Sequence, residues 1–251
     1  YRRHSDAAVA GIQRVKQEFQ AVLDKYGYNG ATYPPKEWII SEANLPRKQF
    51  YNYMGTEEAQ RNWIIKAWVE ANKNDIRLLN IFQLAESETF NAAVDPFQIM
   101  GLYQKLQGTG AYSQIANQQG IALKTCSDLL YGKQYDPAKT IAMQFPAGVK
   151  GAAFRDANGK YTYVLWAETS IDQSETASAS YSFPGSFGLA QLYRRAWDFS
   201  QTQQSTLIAA QNIVLTGAPV FLSEAQPLLQ PPVAFFKANV QQACAGDPVT
   251  F

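Results

Sequence analysis

The stretch Trp38-Ile39-Ile40-Ser41-Glu42-Ala43-Asn44 (WIISEAN) decides how this chain is read. Its apolar run shows no alternation and ends in a carboxylate. That is the pattern of a short parallel strand covered on both faces. Working outward, Glu57 to Glu86 (EEAQRNWIIKAWVEANKNDIRLLNIFQLAE) reads as a helix followed by a second buried strand, Ile76 to Ala85, which also ends in a carboxylate, Glu86. Thr56 is placed to cap that helix, Glu57 and Glu58 suit its positive end, and Ile64, Ala67, Trp68 and Ala71 mark its apolar stripe. Upstream, Val9, Ile12, Val15, Phe19, Val22, Leu23 and Tyr26 recur at steps of three and four, so Ser5 to Tyr26 is a helix, with Ser5 as its N-cap and Gly27 at its end. Ala43 to Gly55 reads as a loop. Asp95-Pro96 starts a further short helix, and a helix from about Tyr112 to Leu130 ends near Gly132. Helix, strand, helix, strand, helix in this order predicts a parallel sheet with crossover helices.

After Tyr135 the period changes. Lys139 to Phe145, Val149 to Asp156, Lys160 to Ala167, Thr176 to Phe183, Leu189 to Trp197, Thr206 to Leu215 and Pro219 to Leu222 read as strands, with Asn158-Gly159 as a hairpin turn. Such a series predicts an antiparallel sandwich. The fold class is therefore α/β plus all-β, with residues 1–134 as one unit, 135–222 as a β-sandwich and 223–251 as an extended tail or linker containing Pro227, Pro231 and Pro232.

Composition narrows the function. Charged residues are 17% of the 251 and the net charge is +1, with no basic block, so no nucleic-acid partner is expected. No apolar run approaches the roughly 20 residues of a membrane span. The chain starts at Tyr1 without a signal peptide, and a processed or truncated N-terminus is expected. His4 is the only histidine, and Cys126 and Cys244 sit in no metal-ligand pattern, so neither a metal site nor a cofactor is expected. The two cysteines read as buried thiols or as one disulfide. With histidine and metal chemistry set aside, carboxylates remain. Tyr161, Tyr163, Trp166 and Tyr181 read either as a sandwich core and interface or as a carbohydrate-binding face. Glu168, Asp172 and Glu175 are spaced too irregularly for an EF-hand loop and read as solvated surface.

WIISEAN and the Glu57–Glu86 stretch resemble strand 7, helix 7 and strand 8 of retaining clan A (β/α)8-barrel glycoside hydrolases, the iduronidase/xylosidase-like branch in particular. Gly151 to Pro184 (GAAFRDANGKYTYVLWAETSIDQSETASASYSFP) and Ile213 to Leu222 (IVLTGAPVFL) are similar to the β-sandwich behind that barrel. The resemblance implies a C-terminal portion of a TIM barrel, about strands 7 and 8 with flanking helices, followed by the sandwich. It implies that Glu42 is the catalytic nucleophile of a retaining O-glycosidase acting on a polysaccharide or oligosaccharide. Asn44, Arg47, Tyr51, Gln83 and Glu86 would then face the substrate. A strand-end carboxylate that pairs with Arg47 is the structural alternative for Glu42, and orienting a loop is the alternative for Glu86. The family's acid/base glutamate follows an asparagine, and this chain contains no Asn-Glu dipeptide. A missing N-terminal half-barrel polypeptide is therefore the expected partner, and the chain alone is expected to be inactive. Secretion, with an extracellular or cell-surface location, goes with this reading. The competing expectation is a non-catalytic structural or glycan-binding component of an extracellular assembly.

Overall fold

The computed structural model describes residues 4–51, 53–106 and 114–225. Helix α1 (Ser5–Lys25) is capped by His4, one residue before the expected Ser5. The His4 Nδ1 accepts from the Ala7 amide at 3.2 Å, while the Ser5 hydroxyl turns inward to a buried charge cluster. Gly27 takes φ +87° just past the helix end, as its position predicts. Strand β1 (Trp38–Ala43) follows. The expected loop after it contains a small hairpin, β2 (Lys48–Phe50) and β3 (Tyr53–Thr56). Strands this short carry no readable alternation. A Cβ on Gly55 would lie 2.3 Å from the Lys48 carbonyl, so only glycine lets the hairpin close. Thr56 Oγ1 then caps α2 (Glu57–Lys73), accepting from the Ala59 amide at 3.0 Å. Strand β4 (Ile76–Ile81) pairs with β1 in parallel. It stops four residues before the expected Ala85, where the chain passes through a cis Phe82–Gln83 peptide.

Asp95 caps a 3-10 turn at Pro96–Ile99 with a capping box. Helix α3 (Gln118–Leu130) starts later than expected, and Tyr112 lies outside the described residues. The remaining elements are β5 (Gln134–Tyr135), α4 (Pro137–Ala142), β6 (Val149–Arg155), β7 (Tyr161–Ala167), β8 (Ser178–Tyr181), β9 (Gln191–Arg195), α5 (Phe199–Thr202), β10 (Thr206–Ala209), β11 (Ile213–Thr216) and β12 (Val220–Glu224). Three expectations are corrected. The strand expected over Lys139 to Phe145 is largely helix α4, because Asp136 caps the Lys139 amide at 2.8 Å and Pro137 opens the first turn. The single strand expected over Thr206 to Leu215 is two, separated by a turn in which Asn212 adopts φ +55°. At the β6–β7 turn only Gly159 has positive φ; Asp156 organises the turn instead, accepting from the Asn158 and Lys160 amides. The tail after Ala225, with Cys244, lies outside the described residues.

Three layers result. A six-stranded antiparallel sheet, in the order β10-β9-β12-β7-β6-β5, lies in the middle. One face carries the helices, through Trp63, Ile64 and Ala67 of α2 against Phe154, Val164, Trp166 and Phe221. The other face carries the two-stranded β8–β11 sheet, through Tyr163, Leu165, Tyr181, Ile213 and Leu215. Strand β7 is buried over most of its length because both its faces are covered. Trp166 is therefore interface against the helices, and Tyr163 and Tyr181 are core. Full burial of an aliphatic side chain such as Leu165 or Leu215 contributes about 1.5–3 kcal/mol. The β1–β4 pair is different. Ile39 is 56% and Leu78 46% exposed, so the face expected to be covered is open among the described residues.

A buried polar hub joins the layers. Lys66, in the middle of α2 and with no exposed surface, donates to Ser5 Oγ and Asp6 Oδ2, both at 2.7 Å. Asp6 also accepts from Trp166 Nε1 at 2.9 Å, Thr169 N at 2.9 Å and Thr169 Oγ1 at 2.6 Å. Glu175 accepts from the Ser5 amide, Ser5 Oγ and Asn62 Nδ2, and its carboxylate lies 3.9 Å from Lys66 Nζ. Glu175 is thus an interior group and not the solvated surface residue expected. Burial pushes the Asp6 carboxyl up, but the Lys66 charge and hydrogen bonds from Lys66 and Thr169 outweigh it and hold the pKa below its ordinary 3.8.

Lys66→Met leaves a buried carboxylate without its cation and is expected to cost about 3–5 kcal/mol in urea unfolding. Because the folded-state pKa of Asp6 is depressed, its stabilisation is complete above the ordinary carboxylate pKa and is lost as pH falls through the lower folded value. Asp6→Asn is therefore expected to flatten the fall in melting temperature as pH drops below the ordinary carboxylate range; an unchanged acid limb would exclude Asp6 as its source.

Candidate functional site

The C-terminal ends of β1 and β4 lie side by side, held by backbone pairing and by side chains from elsewhere. Residues Ile40 and Ala43 of β1 face Leu79 and Ile81 of β4, so β1 holds one extra residue in that interval. The bulge falls on Ser41 and Glu42. Bulges bend a strand and re-aim its side chains, and they are common beside active sites. Glu42 is exposed, and no hydrogen bond or ion pair joins it to another described residue. It lines an open groove of about 440 Å³ whose walls are Ile12, Val15 and Phe19 of α1 and Trp38 and Ile40 of β1.

The other expected site residues divide in two. Asn44, Arg47 and Glu86 are buried and engaged with one another's loops. Asn44 Nδ2 donates to the carbonyls of Phe82 and Met100 and to Gln119 Oε1 at 3.1 Å; its Oδ1 accepts from the Leu45 amide at 2.7 Å and from Gln119 Nε2 at 2.5 Å. Arg47 grips Glu86 with two hydrogen bonds, Nε to Oε1 at 2.5 Å and Nη2 to Oε2 at 2.8 Å, and reaches Glu57 through Nη1 at 3.0 Å. Asn117 Nδ2 adds a bond to Glu86 Oε1 at 2.9 Å. Burial pushes the Arg47 pKa down, but its bonds to Glu86 and Glu57 more than offset this and raise it above its ordinary value, so the guanidinium keeps its charge in the interior. These three side chains have almost no surface with which to touch a ligand. They pin the loops after β1 and β4 instead of facing a substrate as expected, and Arg47 pairs with Glu86, not with Glu42.

Tyr51 and Gln83 are accessible. Tyr51 sits at the tip of the β2–β3 hairpin with φ +47° and is 90% exposed. Gln83 is half-buried, and its Nε2 donates to the Phe97 carbonyl at 2.8 Å. Phe97 is exposed and meets Phe82 edge-on with ring centres 6.0 Å apart. The sequence did not single out Gln119, Asn117 or Gln60. Gln60 Nε2 holds the Leu45 carbonyl at 2.7 Å. Asn117 occupies the N-cap position of α3 without capping it: its Nδ2 donates to Glu86 Oε1 and to the Gly101 carbonyl, and its Oδ1 accepts from no described residue. That misplaced cap is the one local signal that could have marked it. Among the described residues, no group of three or more His, Cys, Asp or Glu is placed to hold a metal ion, and no helix is long and apolar enough to cross a membrane.

Comparison with solved structures finds a similar fold. The fold is similar to that of a glycoside hydrolase. A family 39 glycoside hydrolase from the gut symbiont Bacteroides cellulosilyticus WH2 matches 83% of this chain with a TM-score of 0.56 at 10% identity. The match covers 37% of that structure, so the chain spans well under half the length of its neighbour. The catalytic domain of xylanase C, a family 30 enzyme from Talaromyces cellulolyticus, aligns over 76% of this chain and 43% of its own at 13% identity, with a TM-score of 0.41 that adds no weight. No family model and no curated protein matches the chain by sequence. The shared fold agrees with the clan A resemblance read from WIISEAN and the stretches that follow it.

Arg47→Met removes the cation from a carboxylate whose side chain is fully buried. The expected cost is about 3–5 kcal/mol, together with faster amide exchange in residues 82–106; wild-type exchange there would show that the ion pair does not hold these loops.

Proposed function

We propose that this chain is the C-terminal part of a retaining O-glycosidase acting on a polysaccharide or oligosaccharide, with Glu42 as nucleophile. The observation that supports this most is the Glu42 carboxylate itself. It is exposed, with no hydrogen bond or ion pair to another described residue, at the bulged C-terminal end of a parallel strand, in a fold similar to that of a glycoside hydrolase. Barrel enzymes place their catalytic groups at the C-terminal ends of strands. On this reading β1 and β4 are strands 7 and 8 of a (β/α)8 barrel, residues 1–134 belong to that barrel, 135–222 form the sandwich and 223–251 a linker. Asn44, Arg47 and Glu86 hold the strand ends, and Tyr51 and Gln83 remain as the residues that touch sugar. A polymeric substrate places the enzyme outside the cell.

In the proposed reaction the Glu42 carboxylate attacks the anomeric carbon. A second carboxyl group about 5–5.5 Å away protonates the leaving oxygen and then activates water. The second group is supplied by the N-terminal half-barrel. Its docking site is the open face of the β1–β4 pair with the groove beside it, where Val15, Phe19, Ile39 and Leu78 stand exposed. Unpaired strand edges and a contiguous apolar face of this kind call for a covering partner.

A second reading rests on Glu86. Its burial with Arg47 leaves Glu42 as the accessible one of the two strand-end carboxylates. The chain would then belong to a non-catalytic glycan-binding scaffold.

Glu42→Gln in the protein with its barrel complete is expected to abolish turnover of an aryl glycoside by several orders of magnitude while leaving the melting temperature unchanged. Near-normal turnover would favour the scaffold. Expressed alone, the chain is expected to be inactive and to enhance the fluorescence of an apolar dye such as anilinonaphthalene sulfonate. A non-associating monomer without enhancement would contradict the half-barrel partner.

A further inference from the structure

The end of β1 is held by an amide pair that buries completely. Gln119, in the first turn of α3, has no exposed surface and exchanges two hydrogen bonds with Asn44, two residues beyond Glu42. The same Asn44 amide reaches the Phe82 carbonyl, one residue before Gln83, and the Met100 carbonyl. The ladder itself supplies one further bond here, from the Phe82 amide to the Ala43 carbonyl at 3.2 Å. Past that point Asn44 takes over the work of the sheet, and Gln119 fixes which way the Asn44 amide faces. Helix α3 comes close enough to do this because residue 120 is glycine; a Cβ there would lie 2.3 Å from the Leu102 carbonyl.

We propose that Gln119 is a positioning residue for Glu42 and Gln83, acting through Asn44. This rests on the glycosidase reading of Glu42. The bulge frees residues 41 and 42 from the regular ladder, so their aim depends on what anchors the chain immediately after them. A group that reacts by attack at carbon needs its geometry held closely, and a displacement of about 1 Å can cost on the order of 100-fold in rate. Neither Gln119 nor Asn44 touches the substrate. Losing the pair should therefore lower kcat with little change in KM. A carboxyl group in place of the Gln119 amide fits the site only when protonated. Its hydroxyl then donates to Asn44 Oδ1 and its carbonyl accepts from Nδ2. When ionised it offers no donor and sets a negative charge against Asn44 Oδ1, which keeps only the Leu45 amide.

The test uses the protein with its barrel complete and an aryl glycoside as substrate, with wild type, Glu42→Gln, Gln119→Leu and Gln119→Glu side by side. Gln119→Leu is expected to lose roughly 10- to 100-fold in kcat with KM within about 3-fold of wild type. Gln119→Glu is expected to regain activity relative to wild type as pH falls, whereas Gln119→Leu shows no such recovery. Wild-type kcat in Gln119→Leu, or the same pH profile in Gln119→Glu as in wild type, overturns the proposal while Glu42→Gln remains inactive. If Gln119→Leu does not fold, the pH profile of Gln119→Glu decides alone. Full activity in Glu42→Gln removes the glycosidase reading, and this proposal with it.

Discussion

The ammonium of Lys66 is the point on which the arrangement turns. It lies in the middle of α2, without exposed surface, and its partners come from the start of α1 and from the loop after β7. A buried charge is costly unless paired and hydrogen-bonded. Asp6, Ser5 and Glu175 are therefore tied to wherever α2 puts the lysine. Asp6 in turn receives Trp166 and Thr169, which fixes the helices against one face of the six-stranded sheet. Each member satisfies the others, and removal of one leaves the rest buried with an unmet demand. The same hub explains why α1 begins with a histidine cap, since its serine is needed inside.

From that joint the strand ends follow. Helix α2 connects β1 to β4, and α3 packs beside α2, so residues of α3 reach across both strand ends. Two interlocked clamps result, one of amides (Asn44 and Gln119) and one of charges (Arg47 and Glu86) with the Asn117 amide as a further donor. Together they hold the loops around an exposed carboxylate on a bulge. The proposed reaction requires such a rigid support and free face for its nucleophile. The rigidity is on the helix side of the strands, and the opposite side is where Ile39 and Leu78 meet solvent.

Much of the fold was legible before the structure. The caps at Thr56 and Asp95, the glycine after α1 and most strands after Tyr135 follow from short-range signals, and the parallel β1–β4 pair follows from the order of the elements. Helix α4 was misread although Asp136-Pro137 carries a cap signal, because the apolar residues up to Phe145 suggested a strand. The site was legible in part. Glu42 stands at a strand end as expected, and Tyr51 is accessible. Three of the five residues expected to face substrate, Asn44, Arg47 and Glu86, turn out to be interior, because residue type alone does not tell a hydrogen bond to sugar from one to a neighbouring loop.

By itself, the sequence determined most of the local elements and their order. Helix periodicity, capping and turn formation are decided by hydrogen bonds and side-chain spacing between near neighbours in the chain. Tertiary structure alone decided which polar groups are buried and with whom. Asn44 meets a residue 75 positions away, Lys66 meets one 60 away, and Asp6 meets Trp166 at a separation of 160. The physical reason is desolvation. Whether a carboxylate, an amide or an ammonium must find a protein partner depends on what folds over it, and no spacing within its own segment carries that information.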